Sequence, residues 1–346
     1  MPKRMDFVSK LSRLSEGLDF SQFACTPLGQ PLSLGLYKDW LKAGHHASMD
    51  YLERHLAVKE NPELLLPKAA SAIVVTKNYH PHPYASDEVL SARTALYARG
   101  LDYHSQFQEE LEKLRGRLEA EYPDEKFLCF TDSAPVLERD LAVRAGLGWI
   151  GKNGCVIHPQ QGSLFLLGEI FTTLALGSPA PAHVPDMCGT CDRCLTACPT
   201  QALVAPRVLD ARKCISYWTI EARAPAPLDL REKFADWFFG CDICQTVCPW
   251  NEKVFGRELM RSESLPSPTT ELLVLDLRSI LTATPAQLRA RFAELPYSRA
   301  RALGLKRNAL YVAGNLRLGD LRPDIEAHLE NLDLKELSEW ALARLN

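Results

Sequence analysis

Near the start of the chain, the apolar positions Phe7, Leu11, Leu14 and Leu18 fall on one stripe, which predicts a helix over residues 6–19. A second helix is predicted from Pro31 to Ala43, closed by Gly44, and a short third from Met49 to Lys59. The compact apolar run Ser71–Thr76 reads as a strand, followed by a loop over 78–84 rich in proline and histidine. A long amphipathic helix over 102–120 leads to a second strand over 126–131. The helix predicted over 135–145 stops at Gly146, where a left-handed cap suits glycine. Trp149–Gly154 reads as a turn, and 155–158 and 163–176 as strands. Strands alternating with helices predict an α/β-type first domain ending near residue 177. A proline-rich connector follows over 178–185. Beyond residue 252 the pattern is helical throughout, over 272–281, 285–295, 298–314 and 323–329. The expected architecture is α+β overall: an α/β domain over 1–177, a cysteine-rich domain over 178–255, and a helical-repeat, HEAT-like domain over 256–346.

The chain's 346 residues are 46% hydrophobic, enough for two or three domains with real cores. A net charge of −3 gives no bulk basic character. The apolar run Leu164–Leu176 carries Glu169 inside it and is too short to span a bilayer. The opening segment MPKRMDF is charged, unlike a secretory leader, so a reducing cytoplasm is the expected compartment.

Cysteine changes the picture most. Of eleven cysteines, eight form one spaced array: Cys188, Cys191, Cys194 and Cys198 before Pro199, then Cys214, then Cys241, Cys244 and Cys248 before Pro249. The first run has the spacing and closing proline of bacterial two-cluster ferredoxins, in which the cysteine before proline serves the other cluster. That rule gives Cys188, Cys191, Cys194 and Cys248 to one [4Fe-4S] cluster and Cys198, Cys214, Cys241 and Cys244 to the other. Paired structural zinc sites are the alternative, but zinc sequences usually pair knuckles of two cysteines. Cys25, Cys129 and Cys155 lie outside the array and read as small buried hydrophobes.

Other candidates are less specific. Asp132 follows a strand and precedes a helix, so it can cap that helix, the commoner role, or face a ligand crevice. Asp140 reads as a surface acid. Gly146–Gly154 contains G-x-G-x-x-G spacing, but the helix precedes it and the dinucleotide context fails. It is either a tight turn or a close approach to a bulky ligand, with Lys152 near an anionic group. His80 and His82 lack the further ligands that a metal needs. From Arg289 to Arg317, seven Lys and Arg residues stand against Glu294 alone, a local charge of +6. That is either a solvated helix face or the footprint of a phosphate backbone.

Several segments together resemble the epoxyqueuosine reductases, cobalamin-dependent iron–sulfur enzymes of tRNA modification. They are Met49–His55, Tyr97–His104, Thr131–Arg139, Ala145–Asn153, Cys214–Tyr217 with Thr219–Glu221, Gly240–Asn251, and Leu305–Ala309 with Gly314 and Asn315. The resemblance implies cobalamin in base-off form between the first domain and the cluster domain, and electrons passing through the two clusters. It implies reduction of epoxyqueuosine to queuosine at the wobble position of tRNA anticodons. Asp132 matches the family's proton donor, whose pKa burial should raise. Arg54, Tyr97, Lys152, Asn153, Ser216 and Asp242 match segments around the corrin. Arg299, Arg301, Lys306 and Arg307 become expected tRNA backbone contacts. An external electron donor and a monomeric state are also expected. A corrinoid reductase of a small molecule and a non-catalytic electron-transfer subunit are the competing readings.

Overall fold

The computed structural model describes residues 4–79, 89–132, 134–176, 184–260 and 269–345. His80, His82 and most of the proline-rich connector lie outside the described residues.

Apolar alternation builds a four-stranded sheet from β1 (Gln22–Pro27), β2 (Ser71–Asn78), β3 (Phe127–Thr131) and, after a small hairpin of β4 (Trp149–Ile150) and β5 (Val156–Ile157), β6 (Phe165–Thr172). Its order is β1-β2-β6-β3, and every pairing is antiparallel. The α/β-type expectation for this domain becomes an antiparallel sheet between helices. Helices intervene between the strands, but each strand runs opposite to its neighbours in the sheet, which sequence periodicity does not register.

The sheet is covered on both sides. α1 (Arg4–Leu14) precedes it, and α2 (Leu34–Lys42), α3 (Tyr51–Arg54) and α4 (Leu56–Glu60) follow β1. α5 (Tyr103–Glu121) and α1 bury Phe107, Leu111, Leu114, Phe7 and Leu11 against Cys25, Ile73, Cys129 and Ile170. α6 (Glu138–Ala145) buries Leu141, Ala142 and Ala145 against Ala72, Val74 and Phe171 on the opposite face. Neighbours along a strand point to opposite faces, so Gly168 and Ile170 meet α5 while Glu169 and Phe171 meet the α6 layer. The helix expected over 6–19 ends at Leu14, and that over 49–59 is broken at His55. Asp140 is buried rather than a surface acid, and accepts the Ser33 N–H at 2.7 Å.

The cysteine region holds α7 (Arg193–Ala197), the hairpin β7 (Leu203–Ala205) and β8 (Val208–Leu209), α8 (Leu228–Arg231), α9 (Ile243–Thr246), α10 (Pro249–Phe255) and α11 (Arg257–Met260). Between β8 and α8, Tyr217–Glu221 forms a π-helical turn, a feature that often marks functional sites. The last part is helical: α12 (Thr270–Thr282), α13 (Pro285–Arg291), α14 (Arg301–Asn315), α15 (Arg322–Glu326) and α16 (Lys335–Arg344). Thr284 and Gln287 close a reciprocal capping box on α13. One core joins these helices to Leu90, Phe234, Phe238 and Phe239. It thus crosses the expected cuts at 177 and 255, locking the segments that flank the cleft.

Candidate active site and cluster sites

β3 ends at Thr131, and the next residue, Asp132, takes a left-handed backbone with φ 52°. This conformation is unfavourable for a residue with a Cβ. It turns the carboxylate onto α5, where Oδ2 accepts from Tyr103 Oη at 3.0 Å and meets His104 Nε2 at 2.5 Å. The Asp132 N–H donates to Glu138 Oε1 at 2.7 Å. The capping role is thereby overturned, because Leu137 occupies the N-cap of α6.

Asp102 caps α5 by accepting the His104 N–H at 3.0 Å, and the same oxygen meets His104 Nδ1 at 2.6 Å. Both imidazole nitrogens therefore face carboxylates. The bond to Asp132 pushes the His104 pKa above the ordinary histidine value, against the pull of burial. Burial alone raises the Asp132 pKa, but His104, Tyr103 and Arg299 outweigh it and leave the carboxyl below its usual range. The expected upward shift of Asp132 is corrected: these contacts favour an ionised Asp132 beside a protonated His104. The Asp132 side chain remains 54% exposed, so a substrate can reach it.

Tyr97 stands beside this group, edge-on to the Tyr103 ring at 5.8 Å. Burial raises its pKa first, followed by Asp242, Asp132 and Glu221. Tyr51 of α3 is raised by burial and then by Glu221, with Arg299 and Asp132 also acting on it. Arg299 pairs with Glu221 at 2.9 Å. Residues from the first domain, the π-helical turn and the helical part thus converge on one another near Asp132. Asp242 acts on Tyr97 from the cluster side: it is buried, accepts the Leu96 N–H at 2.5 Å, and is pushed up to about 6 by burial. Beside the Asp132 turn lies a cleft of about 460 Å³, lined by His104, Gln108, Thr131 and Pro135.

The eight array thiols divide into two groups. Burial and then Cys248 raise the Cys194 pKa, with Cys188 also acting; Cys248 is raised by burial and then by Cys188 and Cys191. Burial raises Cys241, with Cys214 and Cys198 among its other influences, and Cys244 is raised by burial, Cys155, Cys241 and Cys214. These neighbourhoods agree with the two crossed sets of four that the spacing predicts, with Cys155 also beside Cys244. Trp149 Nε1–H donates to Cys188 Sγ at 3.4 Å, and the Ala202 N–H to Cys198 Sγ at 3.3 Å. Such N–H donors to sulfur suit thiolates that bind iron. Among the described residues, no three His, Cys, Asp or Glu side chains converge closely enough to hold a single ion.

Several expected corrin contacts also support the cluster loops. Lys152 Nζ donates to the carbonyls of Gly189 at 2.7 Å and Cys191 at 2.8 Å, which leaves one of its three N–H donors. Asn153 is buried and donates to the Cys244 carbonyl at 3.3 Å. Ser216 hydrogen-bonds the Cys214 thiol. Arg54 is exposed at the end of α3. The nearby glycines serve packing: a Cβ on Gly148 would lie 2.1 Å from the Ile157 carbonyl oxygen.

The expected tRNA residues also separate. Arg307 is 2% exposed and donates to the Ala222 carbonyl, so it is a core residue and not an RNA contact. Lys306 Nζ is held by the Leu281 carbonyl at 2.7 Å. Arg299 and Arg301 are exposed, and Arg223, unmarked in the sequence, joins them beside the cleft.

A corrinoid fits the site by position and by donor chemistry. The cleft adjoins the Cys241 set through Asp242 and Tyr97. Both His104 nitrogens are engaged by carboxylates and do not offer a cobalt ligand, in keeping with base-off binding.

Comparison with known proteins agrees with this geometry. Residues 59–133 match the family model described as Epoxyqueuosine reductase QueG, DUF1730, and residues 187–251 match the 4Fe-4S double cluster binding domain. The epoxyqueuosine reductase of Cellulophaga algicola is 39% identical over 269 residues, 78% of this chain and 85% of the relative. That of Pseudomonas aeruginosa is 38% identical over 315 residues, 88% and 85% respectively. An epoxyqueuosine reductase crystallised with a tRNA-Tyr epoxyqueuosine-modified stem loop superposes with TM-score 0.84 at 24% identity, covering 99% of this chain and 91% of that one. The Bacillus subtilis enzyme, captured with its catalytic aspartate loop swung out of the active site, gives 0.81 at 25%, with coverage of 99% and 91%. With relatives this similar over most of both chains, the protein belongs to the epoxyqueuosine reductase family.

Proposed function

We propose that this protein reduces epoxyqueuosine to queuosine at the wobble position of a tRNA anticodon. The observation that carries the reading is Asp132, held on a left-handed turn against His104, with Tyr97 between it and Asp242, the neighbour of Cys241. Cys188, Cys191, Cys194 and Cys248 would hold one [4Fe-4S] cluster, and Cys198, Cys214, Cys241 and Cys244 the other. Tyr97, Asp242, Arg54 and Tyr51 would border a base-off cobalamin. When bound, these groups supply the two electrons of the reaction, drawn from an external one-electron donor.

The chain itself manages protons and position. Opening an epoxide places charge on oxygen, and a positioned acid neutralises it. Asp132, fed by the proton on His104, is that acid. Tyr103 orients the carboxylate and Asp102 orients the imidazole. Arg299, Arg301 and Arg223 would hold phosphates of the anticodon stem loop, which fix register without reading sequence. The helical C-terminal part would act as a repeat-type platform for the RNA, and the enzyme would work as a cytoplasmic monomer. Among the described residues, no helix is long and apolar enough to cross a membrane.

The test is anaerobic reconstitution with iron, sulfide and cobalamin, then incubation with a stem loop carrying epoxyqueuosine. The product nucleoside should be one oxygen lighter by mass analysis. Asp132→Asn should keep its iron and its stem-loop affinity while turnover falls by about 10²–10⁴. Wild-type turnover in that variant would refute the acid role. Iron-loaded protein that leaves the nucleoside unchanged would refute the substrate.

A further inference from the structure

Asp132 has to stay against His104 although little of its own chemistry keeps it there. Its side chain is 54% exposed, and its backbone is left-handed at φ 52°. Aspartate tolerates that conformation better than most residues, but a residue with a Cβ stays in it only where its surroundings fix it. The contacts that fix it come from side chains that have no part in the proton transfer.

Glu138, at the start of α6, accepts the Asp132 N–H with Oε1 at 2.7 Å. Lys59 reaches the same segment from α4. It is 7% exposed, and its Nζ donates to the Val136 carbonyl at 3.2 Å. The ammonium also lies 5.5 Å from the centre of the Tyr37 ring, and Tyr37 Oη donates to the Leu52 carbonyl at 2.9 Å. Val136 donates its own N–H to the Ala134 carbonyl at 2.9 Å and buries its side chain with Leu141 and Ala142 of α6. Beside Glu138, Arg139 Nη1 donates to the Gly154 carbonyl at 2.6 Å, which ties the start of α6 to the β4–β5 hairpin. Asp132 is thus held by its N–H from α6 and by its carboxylate from α5, and the chain that returns from it is held at Val136 from α4.

We propose that Glu138 and Lys59 are positioning residues that clamp the Asp132 turn, so that the carboxylate already lies on His104 before the RNA arrives. Neither touches the reacting atoms. Glu138 works through an acceptor oxygen and not through its charge, because its partner is a backbone N–H. Lys59 works as the donor to a backbone carbonyl. Without the Glu138 oxygen the Asp132 N–H loses its partner, the backbone relaxes to negative φ, and the carboxylate leaves His104. The inference rests on the reading of Asp132 as the acid, and its benefit to that reaction is pre-organisation: an acid already in place needs no reordering as the epoxide opens.

The position of Asp132 can be read without turnover, through the His104 titration that its bond to Asp132 holds above the ordinary histidine value. The measurement is NMR of the ring nitrogens across pH, on the full chain reconstituted with iron and sulfide but without cobalamin or RNA. Glu138→Ala should bring His104 down towards the ordinary value. It should also slow single-turnover reduction of the epoxyqueuosine stem loop by roughly tenfold or more, with stem-loop Kd unchanged. Glu138→Gln keeps the acceptor oxygen and should restore both the titration and the rate. Lys59→Met should shift both in the same direction as Glu138→Ala. A wild-type His104 titration in Glu138→Ala overturns the clamp, as does a loss in Glu138→Gln equal to that in Glu138→Ala. A loss seen only as weaker stem-loop binding overturns it too. Should Glu138→Ala fail to keep its iron, Lys59→Met decides, and a wild-type titration there overturns the clamp. Wild-type protein inert on the stem loop overturns the epoxide reading itself, and the His104 titrations then decide the clamp alone.

Discussion

Asp132 and His104 set the chemistry of the cleft, and their charges are coupled. The largest upward influence on His104 is its bond to Asp132. In Asp132→Asn that charge is lost, so the imidazole should titrate lower than in wild type, as read by NMR of the ring nitrogens across pH. The stability effect has a definite sign. A histidine whose folded pKa is raised adds stability below its unfolded value, and that stability is lost as pH rises through the folded value. Melting temperature should therefore decline from slightly acid to alkaline pH in wild type by a margin that shrinks in Asp132→Asn. An unchanged His104 titration in the variant would remove the pair from the mechanism. The acid at the end of a strand was visible in the sequence, but its partner was not. Asp132 and His104 lie 28 positions apart, and only the fold of β3 onto α5 joins them. The left-handed turn was equally hidden, because Thr131-Asp132 followed by Pro135 reads as a helix start on local grounds.

At the scale of elements, the small hairpin of β4 and β5 is the hinge point between sheet and cluster loops. Its sequence shows glycines, yet not what they are for. Gly148 is required because the Ile157 backbone fills the space a side chain would take, its carbonyl oxygen lying 2.1 Å from where a Cβ would sit. Gly148→Ala must displace backbone, not a flexible side chain, so it should cost about 1–3 kcal/mol or more. Denaturant melts of the iron-free protein would show the loss, and an unchanged midpoint would mean that the hairpin yields freely. The same hairpin carries Trp149, whose N–H reaches Cys188, and leads into Lys152 and Asn153, which hold carbonyls of both cysteine motifs. Period and punctuation located most strands and helices. They missed β1, whose short run Gln22–Pro27 becomes a strand by pairing with β2, far along the chain. They also could not give strand direction, since a helix between two strands is compatible with either sense.

Across the whole molecule, charge is distributed against its average. The chain is net negative, yet Arg223, Arg299 and Arg301 crowd one side of the cleft. Burial lowers the Arg223 pKa first, and Arg301 and Arg299 lower it further, with Glu221 as the opposing acid. Like charges held this close favour an anion that bridges them. The sequence signal, a count over 289–317, left out Arg223 and mixed Arg299 and Arg301 with residues of a different kind. Arg291 is paired with Asp276, Lys306 is tied to a carbonyl, and Arg307 is buried under the π-helical turn. Replacing Arg223 and Arg301 together by glutamate should therefore weaken stem-loop binding and flatten its dependence on salt. Each phosphate that loses its arginine should reduce the slope of log K against log salt by about 0.7–0.9. Arg307→Met should leave that slope intact and lower the melting temperature instead, because its partner, the Ala222 carbonyl, is left unsatisfied in the core. The two variants separate an RNA-binding face from a structural one, and equal salt slopes in all three proteins would place the RNA elsewhere on the surface.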